Sequence, residues 1–318
     1  MNKFMQLFHK VGGKEMLRQY RRAHVLAFAI LQTLSQGFSK KSLEIVRLAV
    51  NNRVLRKLRK KYQGFINQQM LEEAKKSPLP RVRSNKVWVC WLQGIEHAPQ
   101  LVQTCYRSLE EHMPDREIIL LTEDNYRAYV QFPEHIQSKI DRGVITRTHM
   151  SDLLRLELLL NHGGTWIDAT VLCTGSNIPA YMLDSDLFMF QNLKPGLDGD
   201  STRISSWFMT ACTNHPILRL TRSLLYEYWK DHEDMVDYFL IHDFCELAIE
   251  TYPEEWAKVV PFSNATPHIL LLRLFEKYEE EMWTAVRTMT PFHKLTYKFE
   301  AGLAEKEDTY YSVLLKNC

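Results

Sequence analysis

Along residues 40–76, apolar side chains return every three or four positions, as Leu43, Val46, Val50, Val54 and Leu58, with Lys and Arg filling many of the gaps. That period predicts a long helix with one apolar face. The preceding stretch EMLRQYRRAHVLAFAILQTL also lacks proline and is predicted helical, with breaks at Gly12-Gly13 and in SQGFSK. SPLPRVRSN, at 77–85, holds two prolines and closes the helical region, so a domain boundary is expected there. Beyond it the pattern alternates. KVWVCWLQG and REIILLTED are short apolar runs ending in polar residues, PQLVQTCYRSLEEHMP and PEHIQSKIDRG have helical spacing, and HMSDLLRLELLLNHGG leads straight into TWIDATV. Strand, helix, strand, helix, strand at this spacing predicts a parallel α/β sheet. Ligands of such sheets bind beyond the carboxyl ends of the strands. Gln93, Thr122 to Asp124, Asp168 and Thr170 would therefore gather on one rim. DLFMFQN, SSWFMTA and PILRLTRSLLYEYWKDH continue the mixture.

The charge distribution adds a division that the net charge of +2 conceals. Residues 1–83 hold 19 Lys or Arg against 4 Asp or Glu, while the remainder holds 21 against 34. A basic module joined to an acidic body is the direct reading, and basic segments seek polyanions. No run reaches the roughly 18 to 20 apolar residues of a membrane span, and VLAFAIL (25–31) is too short and too far in for a signal peptide. Cys90, Cys105, Cys173, Cys212, Cys245 and Cys318 form no C-x-x-C pair, which favours free thiols over zinc or disulfides.

The chemistry concentrates at 151–171. Asp152 and Arg155 are three apart on a helix and share a face. Gly163-Gly164 permits a tight reversal, and the returning strand delivers Asp168 at its end, two residues before Thr170. An Asp–Arg pair at this spacing is by itself usually a solvated helix pair, and an Asp after a strand is often a turn former. The order of the pieces is what points to a site: two acids and a guanidinium at a sheet rim suit a nucleotide sugar, the acids for ribose hydroxyls or a cation and the arginine for phosphate.

SDLLRLELLLNHGGTWIDATV resembles the core motif of the capsular polysaccharide synthesis proteins, which group with the glycosyltransferases whose signature is Asp-any-Asp. VWVCWLQGIEHAPQLVQTCYRSL, SSWFMTACTNHPIL, DYFLIHDF and HKLTYK support the likeness, which runs from about Lys86 to about Lys298. The resemblance implies an α/β fold of the GT-A type, with a Rossmann-like mixed sheet over residues 84–318, and a basic helical region over 1–83. It implies transfer of a hexose from a nucleoside diphosphate, UDP foremost, to a lipid-linked sugar acceptor, with retention. The family roles would fall on Gln93 and Gly94 at the nucleotide, on Asp152 and Arg155 at the donor sugar, and on Asp168 near ribose and a cation. Thr170 stands where the second acid of the motif would be, which weakens the case for tight Mn²⁺ or Mg²⁺ binding. His293 is then the second candidate metal ligand, and Lys294 a candidate for balancing leaving-group charge. Ser206 and Trp207 are candidates to line the donor sugar, and Asp237 and Asp243 candidates for the acceptor or sugar face.

In this reading residues 1–83 hold the protein to the anionic inner face of the cell membrane, where an undecaprenyl-diphosphate-linked acceptor would be found. Nucleic acid is not expected as a partner, since no recognisable nucleic-acid motif is present and the body is acidic. The competing reading is a non-catalytic membrane- or nucleic-acid-binding protein on a degenerate transferase fold, prompted by Thr170.

Overall fold

The computed structural model describes residues 13–193, 202–300 and 302–316, so Gly12 and Cys318 lie outside the described residues. Five strands make the central sheet, in the order β2 (Glu117–Leu121), β1 (Lys86–Cys90), β3 (Gly164–Ile167), β6 (Ile204–Ala211), β5 (Leu187–Gln191). The first three run parallel, as the alternating pattern predicted. β6 does not: it pairs antiparallel with β3 and with β5, so that β5 again points the way of the first three. The sheet is therefore mixed rather than wholly parallel. This brings the first residues of β6 to the same rim as the last residues of β1 and β3.

β1, β3, β5 and β6 bury both faces, because alternate side chains enter two separate apolar layers, while the edge strand β2 is half-buried. Trp88, Trp166, Met189 and Met209 face one layer with α6 (Arg147–His162), α7 (Pro216–Asp231) and α8 (Leu240–Thr251). Val87, Val89, Ile167, Phe188 and Phe208 face the other, with α4 (Gln100–His112) and the small hairpin-like pair β4 (Val171–Cys173) and β7 (Phe292–Lys294). In the second layer Phe190 stacks on Trp207 at 4.5 Å.

The N-terminal region holds α1 (Gly13–Arg22), α2 (Leu26–Gln36) and α3 (Lys40–Ala74). The unbroken helix expected before Gly37 is interrupted: His24 has φ +53°, and the Lys57 ammonium caps the break by donating to the carbonyls of Ala23 (2.9 Å) and His24 (2.7 Å). Helix α3 starts with Ser39 accepting from the amide of Ser42 at 3.0 Å, a standard N-cap. Its side chains Val46, Val50, Val54, Leu58, Tyr62 and Ile66 recur every four residues and are all buried. They belong to the same apolar layer as α7 and α8, with Tyr62 edge-on to Phe244 at 5.1 Å. Burying each such side chain contributes about 1.5–3 kcal/mol, so α3 is an integral part of the body's core. Charges of the N-terminal region are matched there too: Arg59 and Glu73 of α3 pair with Glu250 and Arg219, Arg22 of α1 with Asp234, and Arg81, past α3, with Glu255. The basic–acidic division in the sequence is thus in part a complementarity within one chain.

Two glycines make the reversal that matters for the site. Gly163 and Gly164 have φ of +68° and +95°, a region side chains disfavour. A Cβ on Gly164 would lie 2.3 Å from the Lys86 carbonyl oxygen. Glycine is therefore required for β3 to lie against β1, and the contact is locked by the Trp88 indole donating to the Gly163 carbonyl at 2.9 Å.

Candidate active site

Helix α6 begins with Thr146, whose side chain accepts from the amide of His149. It is buried over most of its length, and Asp152 and Arg155 are only 8% and 4% exposed. The ordinary solvated pair is thereby ruled out. Arg155 reaches the rim and meets several partners. It donates to the Ser206 carbonyl, lies 3.2 Å from Asp152 and 3.8 Å from Asp168, and stacks over the Trp166 ring at 4.8 Å, a cation–π arrangement. The helix pair and the strand-end aspartate therefore meet, as the motif predicted.

Asp168 directly follows β3, its amide bonded to the Trp207 carbonyl of β6. The chain then turns, with the Val171 amide donating to the Asp168 carbonyl, and leaves as β4. Because β4 pairs with β7, Val171 lies opposite Lys294. The Lys294 ammonium donates to Asp168 Oδ2 at 2.9 Å and to Thr170 Oγ1 at 2.6 Å. The Trp166 indole donates to Asp168 Oδ1 at 3.0 Å. Burial pushes the Asp168 carboxyl up, but Lys294 and Arg155 outweigh it and hold the group below its ordinary value. Asp168 is thus a fixed anion.

These groups line a cleft of about 560 Å³ beyond the carboxyl ends of β1 and β3. Ser206, Trp207 and Thr170 are in its wall, as expected. Trp207 is also core: it is 5% exposed, and its indole donates to Asn264 at 2.8 Å.

The structure corrects other expectations. His293 does not face the cleft. It is fully buried, its Nε2 lies 3.1 Å from the Thr174 hydroxyl, and its ring is 5.7 Å from that of Trp283. Adjacent strand residues point to opposite faces, so Lys294 enters the site and His293 cannot. Gln93 and Gly94 are not in the cleft wall either; Gly94, at φ +84°, makes the turn after β1. That loop presents Cys90 and Trp91 instead. The Trp91 indole nitrogen is buried without a hydrogen-bond partner, and its ring is edge-on to Tyr297 at 5.4 Å. Asp237 and Asp243 lie outside this cleft, in an adjoining cavity.

The residues do not fit a divalent cation. Such an ion takes six or more oxygen ligands, with carboxylates preferred. Here both oxygens of Asp168 and the Thr170 hydroxyl are already engaged, two of the three by Lys294. Among the described residues no group of three His, Cys, Asp or Glu is placed to hold a metal ion.

One residue with a clear role was not anticipated. The Trp229 indole donates to His149 Nε2 at 2.9 Å, which leaves the proton on Nδ1. His149 Nδ1 then donates to Asp152 Oδ2 at 3.3 Å. The chain Trp229, His149, Asp152, Arg155 sets the guanidinium from behind. The sequence signal was the spacing His149, Asp152, Arg155, three apart and so on one helix face.

A mixed α/β protein with a charged cleft at the strand ends is the class these features define. The family model for capsular polysaccharide synthesis proteins matches residues 35–314, and the chain belongs to that family. The match takes in all of α3 as well as the sheet. No curated relative matches the chain. Among solved structures, the PaToxG glycosyltransferase is similar at 15% identity and a TM-score of 0.38, over 82% of this chain and 97% of that one. That likeness is too loose to fix either fold or function.

Proposed function

We propose that the protein is a glycosyltransferase of the GT-A type acting in capsular polysaccharide synthesis. It moves a hexose, glucose or galactose, from a UDP-linked donor to an undecaprenyl-diphosphate-linked sugar, with retention. The observation that carries this reading is the meeting of Asp168, Lys294 and Arg155 in one cleft at the strand ends. Transfer breaks the anomeric carbon–oxygen bond to the diphosphate and forms a bond from that carbon to an acceptor hydroxyl, whose proton passes to the departing diphosphate. Negative charge grows on the leaving group, so fixed cations there favour the transition state. Lys294 and Arg155 supply them. Asp168 orients Lys294 and is available to a ribose hydroxyl. Trp91 and Tyr297 offer an aromatic wall to the base, with the unpartnered indole nitrogen as a donor. Family membership supports the pathway, and the cleft supports the chemistry.

The deciding experiment is hydrolysis and transfer with a panel of nucleoside-diphosphate hexoses, UDP-glucose and UDP-galactose first, with the product anomer read by NMR. Turnover of none of them would overturn the assignment, and an inverted product would overturn retention.

The same reading seats the protein on the inner face of the membrane. No helix of the described residues is long and apolar enough to cross one. The elbow between α2 and α3 exposes Ile30, Leu31, Leu34, Phe38 and Ile45 beside the exposed Lys40 and Lys41, a combination suited to an anionic interface. Deleting residues 1–83 would strip the core of Val50, Val54 and Tyr62, so substitution is the cleaner test. Leu31→Asp with Leu34→Asp should abolish flotation with anionic vesicles, and undiminished flotation would remove the elbow from that role.

A further inference from the structure

Beside the charged cleft lies a second cavity of about 380 Å³, within the roughly 300–1,000 Å³ of small-molecule sites. Ser205, Phe239 and His242 line both, so the two share a wall. Its character is different. Asn51, Asn192, Asn264 and Thr202 present amides and a hydroxyl, and Asp237 and Asp243 present carboxyl groups. Among the described residues Arg47 is its one cation, and that guanidinium already engages Glu44, with Nε to Oε2 at 2.9 Å. The floor holds an unusual group. Asp243 is 2% exposed, and its Oδ2 has no hydrogen-bond partner. A buried unpartnered carboxyl oxygen costs free energy unless something bonds it.

We propose that this cavity binds a neutral, hydroxyl-rich sugar, the acceptor hexose, with Asp243 bonding one of its hydroxyls and Asn51 of α3 forming the opposite wall. The assignment rests on the transferase reading above, which makes the shared wall the place where donor and acceptor meet. A phosphate is disfavoured, because the acids outnumber the cation. Burial, with Asp237 and Glu246 nearby, pushes the Asp243 carboxyl well above the usual range. Phe239, 42% exposed on the shared wall, offers an apolar face to a pyranose ring.

The test is saturation-transfer NMR with methyl α- and β-glucosides, galactosides and N-acetylglucosaminides on the full chain, with and without saturating UDP. At least one hexoside should bind, and UDP should not displace it. Asp243→Ala and Asn51→Trp, on separate elements, should each weaken it at least tenfold while UDP affinity stays within twofold. Binding of no hexoside, displacement by UDP or by inorganic phosphate, or indifference to both substitutions would overturn the proposal. If UDP itself fails to bind the wild type while a hexoside binds as described, the donor reading falls and the sugar site stands.

Discussion

Helix α6 carries two groups of buried charge a turn apart, and they face different things. Asp152 and Arg155 look out on the cleft. Glu157, 5% exposed, looks into the helix layer, where Arg222 Nη1 lies 3.3 and 3.2 Å from its two oxygens, and the Tyr226 hydroxyl and Asn161 amide donate at 2.5 and 2.9 Å. Both groups would score alike on charge and burial. The difference is that Glu157 itself lines neither this cleft nor the separate pocket that its partner Arg222 reaches, whereas Asp152, Arg155, Asp168 and Lys294 all border one open cleft. Buried charge marks a functional site where several of the charged groups themselves line one cavity.

The comparison can be broken by substitution. The largest effect is expected for Asp168→Asn: donor turnover should fall at least ~1,000-fold, with a thermal midpoint shifted less than in the next variant. Turnover kept within tenfold would take Asp168 out of the chemistry. Glu157→Ala should do the reverse. Leaving Arg222 and Tyr226 without their partner costs about 3 kcal/mol, visible as a lower urea midpoint, with turnover per folded molecule intact; an unshifted midpoint would show the cluster to be dispensable. Lys294→Met should lower turnover about 100-fold, and dialysis of the wild type against a chelator should change it less than twofold. Loss on chelation, restored by Mn²⁺, would return the metal to the mechanism.

A pH effect sharpens the contrast within β7. His215, His242 and His293 are each pushed down to about 4 by burial. The unfolded chain binds protons near pH 6.5 that the native state refuses, so stability falls as pH drops from about 6.5 to 4. Each histidine contributes about 1.4 kcal/mol per pH unit in that window. His293→Gln should flatten the slope by one proton; an unchanged slope would mean that His293 titrates normally in the native protein.

Much of this was legible in the residues. The S-D-x-x-R helix, the glycine pair and Asp168 predicted their own convergence, because only the short reversal separates them and a helix period fixes their common face. The four-residue spacing of α3 was equally plain, though its packing partners were not, since they lie in α7 and α8. What could not be read depends on pairings distant in sequence. Lys294 reaches Asp168 through the β4–β7 ladder, across 126 residues. Nothing in HKL tells which of two neighbours on a three-residue strand faces the cleft, so His293 and Lys294 could only be told apart by the fold. The antiparallel entry of β6, which brings Ser206 to the rim, is likewise a property of the sheet. His149 stood at the right spacing, but its tautomer is set by Trp229, 80 positions away.

Helix α3 lends Asn51 and Leu48 to the second cavity and none of its residues to the charged cleft. Under the proposed assignment, the acceptor end of the reaction draws on a helix that the donor end does not, although the two share Ser205, Phe239 and His242. A handful of exchanges in the first turns of that helix could re-tailor which molecule is extended while the machinery that breaks the donor bond is inherited untouched. Polymer diversity within the family would then have an address, and directed variation at positions 44, 48 and 51 is where to look for it.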